Sequence, residues 1–182
     1  MSYGPLEFLI GKWVSDYSGE NKAPDPDRNE ENTKFRQETV FTPIGDVENH
    51  EQTLAVLEYK TLAWEEGDDE EPFHQEVGYW IWDADRNIVM KSFIVPRGIA
   101  VNAGGTCKAN SKEFKMSAVV GDHTFGVSSN PFLDQEFKTL RYDLKITQID
   151  SNTFSYDEDT QIQIKGHKEI FHHTERNLMK RI

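Results

Sequence analysis

With 182 residues and a mass of 21.0 kDa, the chain has room for one ordinary domain and not for two comfortable ones. Its 32 acidic and 20 basic side chains leave a formal net charge of −12, which repels phosphate backbones and anionic bilayers, so nucleic acid and membranes are excluded as expected partners. Mean hydropathy is −0.70, yet 11 Phe, 6 Tyr and 4 Trp can furnish a core; with no signal-like start, no long apolar run and the single Cys107, a soluble cytoplasmic protein is expected.

In chain order, residues 5–10 cluster apolar side chains over a turn that Gly11 closes, predicting a short N-terminal helical turn. Residues 12–17 alternate as a strand. Residues 18–33 hold no aromatic and almost no aliphatic side chain, which predicts a long solvated loop. Alternating runs follow at residues 34–41, 52–64, 73–82, 88–95, 99–107, 113–120, 140–149, 153–164 and 170–182, separated by turn-forming clusters such as Glu66-Gly67-Asp68-Asp69 and Asp150-Ser151-Asn152. No helix is long enough to cross between parallel strands. The pattern therefore predicts an all-β protein, residues 1–182 forming a single antiparallel up-and-down barrel of about ten strands, closed so that no edge is left unprotected.

Alternation also sorts the residues by face. Along 154–164 one face reads Phe154, Tyr156, Glu158, Thr160, Ile162, Ile164 and the other is polar, which places Glu158 and Thr160 inside, where an ionised carboxylate needs a partner. Along 73–82 the pattern leaves open whether His74, Glu76, Gly78, Trp80 and Trp82 or their neighbours face inward.

Local strings spread along the chain resemble the nitrobindin family of haem-binding β-barrels, which share their shape with fatty-acid-binding proteins and lipocalins. They are Pro5-Leu6 with Leu9 and Gly11-x-Trp13; Leu57-x-Tyr59-x-Thr61-x-x-Trp64; Pro72-x-His74-x-Glu76-x-Gly78-Tyr79-Trp80; Pro96-x-Gly98-Ile99 with Gly104-Gly105-Thr106; Arg141-Tyr142; Ser155-Tyr156; and His173 with Leu178. The resemblance implies a ten-stranded barrel holding haem b through one histidine of the last strand, with Trp13, Thr61, Trp80 and Tyr156 at the cofactor, and a capacity to bind nitric oxide or isomerise peroxynitrite to nitrate. Between His172 and His173, which point to opposite faces, it selects His173 as the iron ligand. One departure is plain. The family's first strand continues in alternating glycines, whereas Ser15 and Tyr17 stand here, and their side chains fill part of the haem space.

A second reading competes: a haem-free intracellular carrier of a small apolar ligand with one polar end, held by Glu158, Thr160, His74, Glu76 and Tyr59. His74 and Glu76, at i and i+2, could share a metal ion, but no third ligand is evident, and an interior hydrogen-bonded pair is the expected role. The chain has no nucleophile elbow, phosphate loop, dinucleotide fingerprint or His-Glu-x-x-His, so hydrolase, kinase and dehydrogenase chemistry have no support.

Overall fold

A computed structural model describes residues 2–68 and 70–182; Asp69, in the expected acidic turn, lies outside them. A 3-10 turn (Gly4–Leu9) leads into β1 (Gly11–Pro24), β2 (Glu30–Asn49), β3 (Gln52–Glu65), β4 (His74–Asp83), β5 (Ile88–Val95), β6 (Ile99–Thr106), β7 (Glu113–Val120), β8 (Gly126–Ser129), α1 (Pro131–Glu136), β9 (Phe137–Gln148), β10 (Thr153–Ile164) and β11 (Phe171–Arg181). The strands close into one barrel in the order β1-β11-β10-β9-β7-β8-β6-β5-β4-β3-β2. Among the described residues no helix is long and apolar enough to cross a membrane.

The all-β barrel and its N-terminal turn agree with the pattern; three details do not. Residues 18–33 form no long loop: β1 runs to Pro24 and β2 starts at Glu30, paired from Gly19↔Phe35 to Pro24↔Glu30. Strand pairing is made by backbone groups and needs no apolar side chain, and this hairpin extends the wall at the barrel mouth, where polar residues face water. The wall is also mixed, with one strand more than expected. Four-residue β8, too short for alternation to register, lies parallel to β7 and wedges between it and β6, which otherwise meet at Gly104↔Ser117. Finally, α1 goes unsignalled by periodicity; Asn130 caps it by accepting from the Leu133 amide at 3.0 Å, and β9 begins at Phe137 directly after it.

The opposite end is sealed. Trp13 is fully buried, edge-on to Phe154 at 4.8 Å, and its indole N–H donates to the Leu9 carbonyl at 2.6 Å. From β11, Arg181 lays its guanidinium 4.3 Å over the Trp13 ring and donates to the Phe8 and Ile10 carbonyls, tying the 3-10 turn to the last strand. Leu6, Leu9 and Met179, all fully buried, complete this plug.

The seam between β6 and β7 depends on close backbone approach. A Cβ at Gly105 would stand 1.9 Å from the Lys115 carbonyl oxygen, an overlap that main-chain atoms cannot relieve by rotation. Gly105→Ala is therefore expected to destabilise the protein by about 2 kcal/mol or more, read as a lower urea midpoint; an unchanged midpoint would show that the seam yields freely.

Candidate functional site

Strand alternation sends one face of every strand into the barrel, and near its middle those side chains are polar as often as apolar. They surround a cavity of about 50 Å³ lined by Tyr59, Thr61, His74, Glu76, Trp80, Lys91, Tyr156, Glu158 and Glu175 among others. The face left open on β4 is thus settled: His74, Glu76 and Trp80 point inward. Glu158 points inward as well, as alternation on β10 requires.

At the centre is an ion pair. Lys91 Nζ lies 3.0 Å from Glu76 Oε1 with both side chains nearly buried. The same carboxylate oxygen accepts from the Tyr59 hydroxyl at 2.8 Å, and the other faces His74 Nε2 at 3.6 Å. Lys91 also donates to the Tyr142 hydroxyl at 3.0 Å, and that hydroxyl donates to Glu158 Oε2 at 2.8 Å. The ammonium sits 4.1 Å over the Phe93 ring, so its charge is met on every side. Thr39 and Thr61 share a hydrogen bond at 2.9 Å, and the Tyr156 hydroxyl donates to Gln37 Oε1 at 2.5 Å.

Two of the three interior carboxylates, Glu76 and Glu158, are held at opposite extremes. Burial pushes Glu76 up, but the Lys91 ammonium and His74 prevail and bring it down to about 2. Burial, joined by the like charges of Glu175 and Glu76, pushes Glu158 up to about 7 against the pull of Lys91 and the Tyr142 hydroxyl. Burial raises Tyr59, Tyr142 and Tyr156 well above the usual tyrosine range, so their hydroxyls remain proton donors.

Toward the mouth, His173 faces inward and its Nε2 lies 3.0 Å from Asn21 Oδ1. The Asn21 amide nitrogen donates to Thr33 Oγ1 at 3.3 Å, which leaves its oxygen to accept from the Nε2–H tautomer of His173. Burial lowers the His173 pKa and keeps the ring neutral. His172 faces out, paired with Asp159 at 2.8 Å, and half-buried Thr160 sits opposite His173 across β10 and β11. Phe35, fully buried, presses its ring onto Gly19, where a Cβ would meet it at 2.6 Å, and touches Phe73 edge-on at 6.0 Å. Ser15 is inward and accepts from Asn177 at 2.9 Å, while Tyr17 sits at φ 48° in a bulge between Ser15 and Gly19.

This arrangement does not fit a porphyrin. A ligand of that size needs a pocket of roughly 300–1,000 Å³ with mostly apolar walls, whereas the interior cavity is about 50 Å³ and holds charged groups, and the cleft of about 1140 Å³ that shares Glu158 and Glu175 with it is lined almost wholly by charged and polar side chains. Phe35 fills space beside Gly19, and His173 Nε2 is engaged by Asn21, so ligation of iron through Nε2 requires that bond to break and the other neutral tautomer to form. Nor does a metal ion find a set of ligands: among the described residues no three His, Cys, Asp or Glu side chains are placed to hold one.

Of the residues singled out in the sequence, Tyr59, Thr61, His74, Glu76, Trp80, Tyr156 and Glu158 line the cavity together, whereas Trp13 belongs to the sealed end. Lys91 was missed, although its signal is present: in Val89-x-Lys91-x-Phe93 a lysine takes the inward place of an apolar alternation. Tyr142 and Glu175 follow the same logic on β9 and β11.

The pKa directions have opposite consequences. Glu76, lowered when folded, contributes stability above its ordinary value that is lost as pH falls through about 2; Glu158, raised, makes folding less favourable as pH climbs from about 4.5 through 7. The unmodified chain is expected to lose stability between about pH 5 and pH 8, and Glu158→Gln to flatten that decline. Lys91→Met, which strands Glu76, is expected to cost about 3–5 kcal/mol near pH 7, much of it regained in Glu76→Gln/Lys91→Met. Urea denaturation followed by tryptophan fluorescence measures both.

Two solved structures share the fold. The crystal structure of Rv2717c from M. tuberculosis aligns with a TM-score of 0.64 at 20% identity, over 97% of this chain and 94% of that one. The S-type phycobiliprotein lyase CPES from Guillardia theta aligns with a TM-score of 0.52 at 7% identity, over 97% and 90% of the two chains. No curated protein sequence matches the chain. The model of the THAP4-like, heme-binding beta-barrel domain matches residues 2–181, and the chain therefore belongs to that family.

Proposed function

We propose that this chain is a small-molecule-binding barrel that holds the polar head of its ligand in the interior, in a site organised by Lys91, Glu76 and Glu158 rather than by a porphyrin. The observation that carries this reading is the cavity itself: about 50 Å³, lined by charged and hydroxyl groups as well as apolar ones, and continuous through Glu158 and Glu175 with a polar cleft of about 1140 Å³. A core built only for stability gains from apolar filling, because a buried ion pair recovers its desolvation cost only with full hydrogen bonding. Three carboxylates, one ammonium and two tyrosine hydroxyls gathered around a void instead resemble a ligand site, in which a few placed polar groups orient a guest.

Nitric oxide binding and peroxynitrite isomerisation, which the resemblance to nitrobindins implies, need the iron porphyrin. Family membership and the inward, neutral His173 support that reading; the filled slot at Phe35 and the engaged His173 Nε2 weigh against it and favour the haem-free carrier.

Hemin titration of the purified protein separates the two. The expected result is broad, non-stoichiometric absorbance that is the same in His173→Ala. A sharp Soret band saturating at one hemin per chain and lost in His173→Ala would overturn the proposal. Mass spectrometry of protein isolated from its own host is expected to show a bound small molecule and no porphyrin mass.

A further inference from the structure

We propose that residues 23–33 form a latched lid over the open end of the barrel, with Arg28 as the latch and the route to the interior beneath it. The inference rests on the reading above that the interior holds a guest, and it adds how a guest is admitted.

The strand ladders define the lid. β1 pairs with β11 no further than Lys22↔Thr174 and β2 with β3 no further than Phe35↔Glu65, yet β1 and β2 continue to pair with each other as far as Pro24↔Glu30. Beyond the barrel wall they are a two-stranded ribbon, which is at best marginally stable by itself. Residues 25–32 bring no aromatic or large aliphatic side chain to pack, so the ribbon is held in place by polar contacts at its tip.

Those contacts centre on one side chain. The tip is closed by the Asp25 amide donating to the Asn29 carbonyl at 2.9 Å and the Asn29 amide donating to the Asp25 carboxylate at 2.8 Å. Within it Arg28 stands at φ 69°, a left-handed conformation that suits glycine or asparagine and costs free energy for other side chains. Its guanidinium donates to the Lys165 carbonyl at 3.0 Å and to Glu136 Oε2 at 2.9 Å, and lies 4.9 Å over the Phe137 ring. Lys165 Nζ holds the other oxygen of Glu136 at 2.5 Å.

The position of this anchor makes the ribbon a lid. Lys165 follows β10 and Glu136 precedes β9, and β11 and β10 stand between β1 and β9 in the barrel, so the ribbon reaches across the ends of two strands. Phe137 pairs with Ile164, which ends the inward row of β10 and is fully buried. At the root of the ribbon are Asn21, which engages His173, and Phe35, which packs on Gly19. Ala63, two residues along β3 from the partner of Phe35, lines the cavity. The opposite end of the barrel is closed by the Trp13 plug.

The latch is weak by construction. The side chains of Arg28 and Glu136 are 32% and 18% exposed, and such pairs contribute little beside apolar packing. The tip therefore opens at a smaller cost than the barrel unfolds, and the ribbon swings where its ladders end, as lids commonly do.

The test uses the full chain carrying Cys107→Ser and Ala63→Cys, whose thiol at the cavity wall is labelled with methyl methanethiosulfonate. Labelling of a buried thiol follows the population of open states. Arg28→Gln is expected to speed it about tenfold, the loss of one ion pair and one charge-assisted bond, and Glu136→Gln by less, since an amide oxygen is left to accept. Lys145→Gln, which breaks the pair with Glu113 at 3.0 Å on the outer wall, is expected to leave the rate unchanged. Hydrogen exchange of the chain with its native Cys107 and Ala63 is expected to quicken in Arg28→Gln at residues 22–33 and not on β4 and β5. An unchanged labelling rate in Arg28→Gln, a rise no greater than the rise in unfolded fraction measured by urea, an equal rise in Lys145→Gln, or faster exchange spread over the whole barrel would overturn the proposal. Labelling reports access and not affinity, so a stoichiometric Soret band would remove the haem-free reading and leave the lid standing.

Discussion

Lys91 and Glu76 face each other at 3.0 Å inside a wall that closes on itself, and the barrel leaves both side chains nearly buried. Each ion would lose several kcal/mol of hydration if left to the other alone. The surrounding side chains answer that demand in sequence: Tyr59 and His74 take the carboxylate, Tyr142 and the Phe93 ring take the ammonium, and Tyr142 passes the obligation to Glu158. The interior is polar because one pair is polar, and small because its partners are large aromatics packed to reach it. The same ring of hydroxyls and carboxylates that keeps the pair in place surrounds the cavity.

How far this was legible in the sequence depends on which physical rule governs each residue. Period-two alternation fixes the inward face wherever apolar and polar residues truly alternate, which is why β10 declared Glu158 and the barrel architecture could be read from spacing and turns. It is silent on β4, where Glu76, Trp80 and Trp82 share a face with no apolar monotony to mark it, and the choice falls to the register with β3 and β5, a property of three strands together. Residues 18–33 misled because side-chain composition says nothing about backbone pairing, and the hairpin there is held by its ladder and by Lys22 with Glu30 at 3.4 Å. The cavity could not be read at all, since its volume is what remains after every inward side chain has been placed.

The barrel wall and its interior answer to different constraints. The barrel wall tolerates wide change, as 20% identity to Rv2717c over nearly the whole chain shows, because strand pairing belongs to the backbone. The interior is bound by a stricter sum: whatever fills it excludes something else. Phe35 packs over Gly19 and Asn21 holds His173, and the interior cavity that remains beside them is about 50 Å³.

The pairing of β1 with β11 and the clasp of Arg181 on Trp13 join segments more than 150 residues apart. Contacts of such separation in sequence must wait until nearly all of the chain has been synthesised, and they make folding slow relative to local structures. Until then β1 presents an unpaired edge, and the inward charges of β4 and β5 are still solvated. The partners of Lys91 and Glu76 come from β3, β4, β5 and β9, so their burial also rests on strands distant in sequence, and until the β1–β11 seam closes the wall keeps an edge open to pairing with other chains.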